Sequence, residues 1–501
     1  MSTMDHAVTR SVAVPLARWL RNNWGLLLAI AALLVVLALP NPIGLPIAGQ
    51  RMLAVFAFAV VVWISEGVDY AVSAIVIAGL IAFLLGTAPD PTKPQALIGT
   101  ASALGVAMSG FANTALTLVA AALFLATAMT ITGLDRRIAL LILSRVGART
   151  GPLLAGIVVV TIVLSLLVPG STARAACLIS IEIGVIAAFG IERKSQLASL
   201  FMITTTQAVS IWNVGVKTAA AQNMVAIGFM QRMLGQSITW GEWLMAAAPF
   251  AAMMSVVLYV VMTRMMPPET KELKGGRDVI AKAVAELGPM TGAERRLLAI
   301  SLALLCFWAT EQVLHPIDSA TATVVAVALI LLPGVGVMTW KQAQPAIPWG
   351  TLVLFGVGIS LGTALLQTQA AVWLANTIIG WLGLNHLSAF TILAVMAAFL
   401  VLIHLGFASA TALASALIPI IIAVLQKVET PVNVVGMTMV LQFVVSFGFI
   451  LPVNSPQGMV AYGTGTFSAR DFVRTGVVLT VLAYGLTLMF GATYWHWLGY
   501  V

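Results

Sequence analysis

Apolar runs, most of them near the ~20 residues that a helix needs to cross a bilayer's hydrocarbon core, follow one another along this chain with short polar breaks between them. The pattern predicts helices near 24–40, 52–66, 70–88 and 104–133, then an amphipathic segment at 135–150 whose arginines suit a membrane interface. The stretch 152–190 is too long for one helix yet is basic at both ends, which predicts a re-entrant hairpin with both ends on one side. A broken helix at 196–234 and a spanning helix at 241–266 complete the first half. The polar segment 267–294 carries Pro-Pro, Gly-Gly and mixed charges and reads as a linker. The second half repeats the plan: helices near 296–313 and 319–334, a helix and interfacial segment through 349–387, a hairpin at 388–426, a broken helix at 431–466 and a last helix at 472–497.

Two interruptions match between the halves, Pro169-Gly-Ser-Thr-Ala173 and Gly406-Phe-Ala-Ser-Ala-Thr-Ala412, and each precedes a second break, Lys217–Asn223 and Pro452–Gly458. Backbone freed from helix hydrogen bonds at bilayer depth is tolerated only where it lines a cavity, so paired breaks point to a secondary transporter. Thr172 and Thr411 are 239 positions apart, Asn223 and Gly458 235, and Trp243 and Phe472 229, offsets that support a duplication. An odd number of crossings between the halves makes the repeats inverted. The expected fold class is therefore an all-α polytopic membrane protein. It has about 11 transmembrane helices in two inverted repeats, each with a re-entrant hairpin and a broken helix.

Composition agrees: 60% of the 501 residues are hydrophobic and 8% charged, too apolar for a soluble core. The net charge of +8 reflects topology. Counting segments from a cytoplasmic N-terminus, 19 of the 25 Lys and Arg residues fall inside, four outside, and Arg174 and Lys217 within the membrane. This asymmetry predicts a cytoplasmic N-terminus and an external C-terminus, and no nucleic-acid partner is needed to explain the basicity. The first apolar run follows Arg10, Arg18 and Arg21 without a clear cleavage site and reads as a retained helix. Cys177 and Cys306 lie in apolar segments of different halves and suggest no disulfide framework.

Candidate chemistry concentrates at the breaks. At each tip small residues, Gly170, Ser171 and Thr172 in one and Ser409, Ala410 and Thr411 in the other, open a new helix. Its N–H groups and hydroxyls suit a carboxylate, sulfate or phosphate. The competing explanation is close helix packing. Arg174 and Lys217 lie near bilayer depth, where a charge costs at least ~2.5–3.5 kcal/mol on insertion scales. They are candidates for balancing substrate charge or standing where a coupling cation would sit; alternatively Arg174 pairs with Glu182 and Lys217 snorkels to an interface. Asn223, Asn454 and Ser455 can bind substrate or a cation, or merely satisfy freed backbone. His404 can carry a proton or be structural, and Glu66 and Glu311 read as interfacial. The sequence holds no spaced metal cluster, nucleotide loop or nucleophile–base constellation, so an enzyme is disfavoured, and the apolar flanks of both tips disfavour an anion channel.

Trp63-Ile-Ser-Glu66, Gly133-Leu-Asp-Arg-Arg137, Ser171-Thr-Ala-Arg174, Trp240-Gly-Glu-Trp243, Ser409-Ala-Thr-Ala412, Tyr462-Gly-Thr-Gly465 and Asp471-Phe472 together make nearly the whole chain resemble the divalent anion/sodium symporter family. The resemblance implies a homodimer in a bacterial inner membrane, with a fixed scaffold and a mobile transport domain that works as an elevator. On that plan 1–23 is a cytoplasmic tail, 24–150 and 295–387 are scaffold and interfacial helices, 151–266 and 388–501 are the transport parts, and 267–294 is the linker. The implied substrate is a small organic anion, most readily a di- or tricarboxylate, moved by exchange or cation coupling; sodium-coupled symport of a dicarboxylate or sulfate is the alternative. No cofactor is implied beyond a possible sodium coupling ion near Ser171 and Ser409. The family's tip motif is Ser-Asn-Thr, and both Asn positions are changed here, to Ser171 and Ala410. Its Thr-Pro-Pro-Asn pattern is reduced to Ala220-Ala221-Gln222-Asn223 and Ser455-Pro456-Gln457-Gly458. Arg174 resembles the Arg of the exchanger branch, where a fixed cation replaces sodium. The His that this branch often carries after the second tip is Leu413.

Overall fold

The computed structural model describes residues 23–90, 93–147, 149–188, 190–270 and 276–501; the expected N-terminal tail, with Arg10, Arg18 and Arg21, lies outside these except for Asn23. Among the described residues nine helices are long and apolar enough to cross a membrane. Three of the nine are hairpin arms, and seven further apolar helices are shorter, at 10–17 residues.

The first half begins with Trp24–Ala38 packed against Ile47–Ser65. Gly25 and Gly67 allow this contact, because a Cβ on Gly25 would lie 2.5 Å from Ser65 Oγ and one on Gly67 2.5 Å from Leu26 N. The helix Tyr70–Leu80 runs into a π-helical turn, Ile81–Leu85. A short antiparallel strand pair, Pro89–Asp90 and Lys93–Leu97, then takes the chain to the next helix.

The helix expected at 104–133 is two helices, Thr100–Met108 and Thr114–Thr132, separated by a 3₁₀ turn at Ser109–Phe111. The cause is a close approach to Trp349–Gln367. A Cβ on Gly110 would fall 2.0 Å from Gly356 O, and Gly110 N donates to Ser360 Oγ at 2.9 Å. Asn113 restarts the helix by accepting from Ala115 N at 2.8 Å, which satisfies one of the donors orphaned at a helix start.

The amphipathic segment forms the helix Leu134–Val146, entered through Gly133 at φ +74°. The linker is more ordered than its composition suggests. It contains the helix Gly276–Glu286, which packs on Leu134–Val146. Arg137 fixes the linker's end: its Nε lies 2.6 Å from Glu294 Oε1, and its terminal nitrogens donate to the carbonyls of Gly288 at 3.0 Å and Leu287 at 3.1 Å.

Each half then builds one hairpin and one broken helix. The first hairpin pairs Thr150–Leu167 with Ser171–Ala188, and the second pairs Ala389–His404 with Ala410–Lys427. The first broken helix is Gln196–Gly215, a 3₁₀ turn at Lys217–Ala219, then Ala221–Leu234. The second is Val434–Val445, an irregular stretch, a 3₁₀ turn at Pro452–Asn454, then Pro456–Tyr462. Every residue of this helix from Leu197 to Gly215 is buried within the protein. That explains how it carries Thr204, Thr205, Thr206, Gln207, Ser210 and Asn213 at bilayer depth, where polar side chains turned to hydrocarbon are disfavoured. The fold is all-α, polytopic and internally repeated, with one hairpin and one broken helix in each half.

Candidate functional site

Both tips end in a helix start that faces a common cavity of about 1240 Å³. Pro169 offers no N–H, and Gly170, at φ +100°, takes a backbone conformation that a side chain would strain. Gly170 N donates to Ala219 O at 3.3 Å, which ties the first tip to the first break. At the second tip Ser409 caps the new helix by accepting from Ala412 N at 3.2 Å. Asn454 ties that tip to the second break, donating through Nδ2 to His404 O at 2.9 Å and Phe407 O at 2.8 Å. Tip and break are thus one hydrogen-bonded unit in each repeat, joined by different atoms.

Of the predicted site residues, Gly170, Ser171, Thr172, Ser409, Ala410, Thr411, Asn454 and Ser455 all line the cavity. Among the described residues, the hydroxyls of Ser171, Thr172 and Thr411 have no hydrogen-bond partner in the protein and remain available to a ligand. Asn454 is more committed: both its amide hydrogens go to hairpin carbonyls, and its Oδ1 accepts from Leu451 N at 3.2 Å.

Arg174, Lys217 and Asn223 do not line the cavity. Asn223 is fully buried and gives its Nδ2 to the carbonyls freed at the break, Asn213 O at 2.7 Å and Val216 O at 3.2 Å, while its Oδ1 has no partner. Arg174, also fully buried, donates through Nη2 to Asn213 Oδ1 and to Ala219 O at 3.0 Å, and its Nε and Nη1 have no partner. It does not pair with Glu182, whose carboxylate accepts instead from Thr205 Oγ1. Asn213 does line the cavity, so Arg174 stands one side chain behind the surface. Lys217 lies elsewhere, donating to Ile238 O at 2.7 Å and Ser319 Oγ at 3.1 Å, 3.9 Å from Glu311 Oε2. Glu311 is 8% exposed and also accepts from Trp240 N and Ser319 N.

The structure adds a reciprocal pair. Gln222 Nε2 donates to Ser446 Oγ at 3.2 Å, and Gln457 Nε2 donates to Ser210 Oγ at 2.9 Å. The two glutamines are 235 positions apart and the two serines 236, so each repeat lends a glutamine to the other's broken helix. The sequence signal was the repeat offset itself. Gln207 adds a third cross-repeat bond, to Phe449 O at 2.9 Å.

Two re-entrant tips and two helix breaks around one cavity define a secondary transporter of inverted-repeat design. Residues 20–501 match the family profile described as the sodium:sulfate symporter transmembrane region, and the chain belongs to that family of divalent anion/sodium symporters. It is 55% identical over 489 residues to a membrane protein of Cupriavidus necator, covering 98% of this chain and 95% of that one. It is 28% identical over 485 residues to the L-tartrate/succinate antiporter of Escherichia coli K12, covering 93% and 97%. The solved YdaH transporter of Alcanivorax borkumensis, reported for its unusual topology, shares the fold: TM-score 0.53 over 88% of this chain and 98% of that one, at 14% identity. The chain is a multi-pass membrane transporter of an anion-carrying family.

Proposed function

We propose that this protein moves a small organic anion, a di- or tricarboxylate, across the bacterial inner membrane, held between Gly170–Thr172 and Ser409–Thr411. The carrying observation is the convergence of two helix starts and three unengaged hydroxyls on one cavity. Helix starts supply N–H donors and partial positive charge without a fixed ion, which suits a carboxylate that must later leave. Hairpins and broken helices move as one elevator body against the remaining helices, in a homodimer. Their cross-repeat glutamine bonds support that rigidity. The N-terminus lies in the cytoplasm and the C-terminus outside, so the cavity mouth at Glu66, Tyr70 and Arg136 faces the cytoplasm. The relative named for L-tartrate/succinate antiport supports the dicarboxylate class.

Anion exchange is the coupling we favour, because Arg174 is a permanent cation directly behind the cavity wall, with two nitrogens unengaged. Sodium-coupled symport is the second reading, supported by three buried oxygens that lack donors, Asn223 Oδ1, Gln207 Oε1 and Gln457 Oε1. Small hard cations take such oxygens as ligands. Sodium would then be cargo, held near Ser171 and Ser409.

Uptake of labelled succinate, citrate and sulfate into proteoliposomes, with and without a sodium gradient and with and without internal anion, tests this. Exchange requires uptake that needs internal anion and no sodium, and that Arg174→Ala abolishes or makes sodium-dependent. Unchanged uptake in Arg174→Ala removes that residue from the mechanism, and steady ion current in a planar bilayer would establish a channel instead.

A further inference from the structure

Four side-chain amides line the cavity, and three of them give their nitrogens to the protein: Gln222 to Ser446 Oγ, Gln457 to Ser210 Oγ, and Asn454 to the carbonyls of the second hairpin. The fourth is Asn213, in the last turn of Gln196–Gly215 and 2% exposed. Arg174 Nη2 donates to its Oδ1, and a guanidinium can only donate, so the amide cannot turn over and Nδ2 is the end left for the cavity. Among the described residues Nδ2 has no partner in the protein, and it is not one of the partnerless polar atoms sealed from solvent. The backbone is held as well, Asn213 O accepting from Asn223 Nδ2 at 2.7 Å. An accessible N–H donor fixed in one orientation is preorganised to bind an oxygen.

Arg174 also ties this donor to the first tip. Ala219 O accepts from Arg174 Nη2 at 3.0 Å and from Gly170 N at 3.3 Å, so the amide and the helix start at Ser171 share one anchor. The second repeat has no such amide. The offset of 235 positions that carries Gln222 onto Gln457 carries Asn213 onto Gly448, which also lines the cavity but bears no side chain. A Cβ there would lie 3.3 Å from Asn454 O and 3.4 Å from Ser455 Cβ, so the second break leaves little room for one. Thr172 and Thr411, at matched positions, can treat the two ends of a dicarboxylate alike. Asn213 distinguishes them, with a donor that carries no charge.

We propose that Asn213 is a specificity-determining residue of the anion site: with a carboxylate resting on the first tip, Nδ2 donates to an oxygen on the adjacent carbon, so that 2-hydroxy and 2-oxo dicarboxylates bind more tightly than an unsubstituted chain. No bond is broken and no proton moves. The substituted anion gains one hydrogen bond, whereas an unsubstituted one sets a methylene against Nδ2 and leaves that donor unpaired. This inference rests on the anion site proposed above.

The test compares the Kd of L-malate with that of succinate, two dianions that differ by one hydroxyl, by titration calorimetry on the purified full-length protein in detergent. L-malate is expected to bind about three- to tenfold more tightly, the weight of one neutral hydrogen bond. Asn213→Ala should erase this preference and bring the two Kd values within about twofold of each other, whereas a merely structural role would weaken both anions by the same factor and keep their ratio. Asn213→Asp retains an acceptor for Arg174 Nη2 and exchanges only Nδ2 for an oxygen; it should erase the preference too, and it decides if Asn213→Ala does not fold. Equal Kd values in the unaltered protein overturn the proposal, and so does a preference for L-malate that survives in either variant. Failure of the anion site itself reads differently: neither anion would bind, or both would bind unchanged to Thr172→Val with Thr411→Val. Succinate binding that is lost in that double variant, with L-malate no tighter than succinate in the unaltered protein, sinks only the role of Asn213.

Discussion

Replacing Thr172 and Thr411 together by Val tests the tips most directly, because it removes two hydroxyls and leaves the side-chain shape nearly unchanged. Both residues line the cavity and neither hydroxyl is engaged by the protein. A hydrogen bond to a charged group contributes about 1.5–3 kcal/mol, so each lost hydroxyl should weaken anion affinity roughly tenfold to 150-fold. Both bind one ligand, so their effects need not add; the double variant should lose at least the roughly tenfold of a single hydroxyl in half-saturation. Stability should change little, within about 0.5 kcal/mol, because no buried partner is orphaned. The assay is the concentration dependence of labelled succinate exchange in proteoliposomes, alongside the rise in melting temperature that succinate gives the purified protein. Thr172→Ser with Thr411→Ser keeps both hydroxyls and should stay near the unaltered protein. A Val double variant whose half-saturation lies within twofold of the unaltered protein would refute the assignment of the tips as the anion site.

Two further outcomes follow from buried contacts. Glu294→Gln leaves the guanidinium of Arg137, whose side chain is 9% exposed, without its counter-charge, and removing one partner of a buried pair costs about 3–5 kcal/mol; a clear fall in melting temperature is expected, and an unchanged melt would show that the carbonyls of Gly288 and Leu287 suffice. Asn454→Ala removes the side-chain donor to the carbonyl of Phe407 and leaves that of His404 with only Phe407 N, at about 1–3 kcal/mol for a buried group left unsatisfied, and should loosen the second tip. Faster labelling of a cysteine placed at Ala408 would report this, and equal labelling rates would mean that Asn454 does not hold the tip.

Much of the architecture was legible because membrane insertion leaves strong marks in a sequence. Runs of apolar residues, a duplicated pair of Gly- and Ser-rich interruptions and constant offsets gave the hairpins, the broken helices and the repeat. The break at Ser109–Phe111 was not legible. Its single glycine looks like any tolerated helix glycine until the backbone of Trp349–Gln367 is placed against it, with Gly110 N on Ser360 Oγ. The linker helix Gly276–Glu286 was hidden in the same way: its polar composition reads as loop, and its partner is Leu134–Val146, far along the chain.

The sequence by itself marked Arg174, Lys217, Asn223 and His404 as polar residues within or beside long apolar stretches, where the cost of polar groups in hydrocarbon makes them stand out. Only the tertiary structure decided where each one points. Arg174 turns to Asn213, Lys217 reaches Glu311 on the far side of the linker, Asn223 closes freed carbonyls, and His404 alone of the four is among the cavity's lining residues, its ring nitrogens buried. Depth follows from a one-dimensional count of apolar residues. The direction of a side chain around its helix, and which partner from another repeat meets it, is set by how the helices pack.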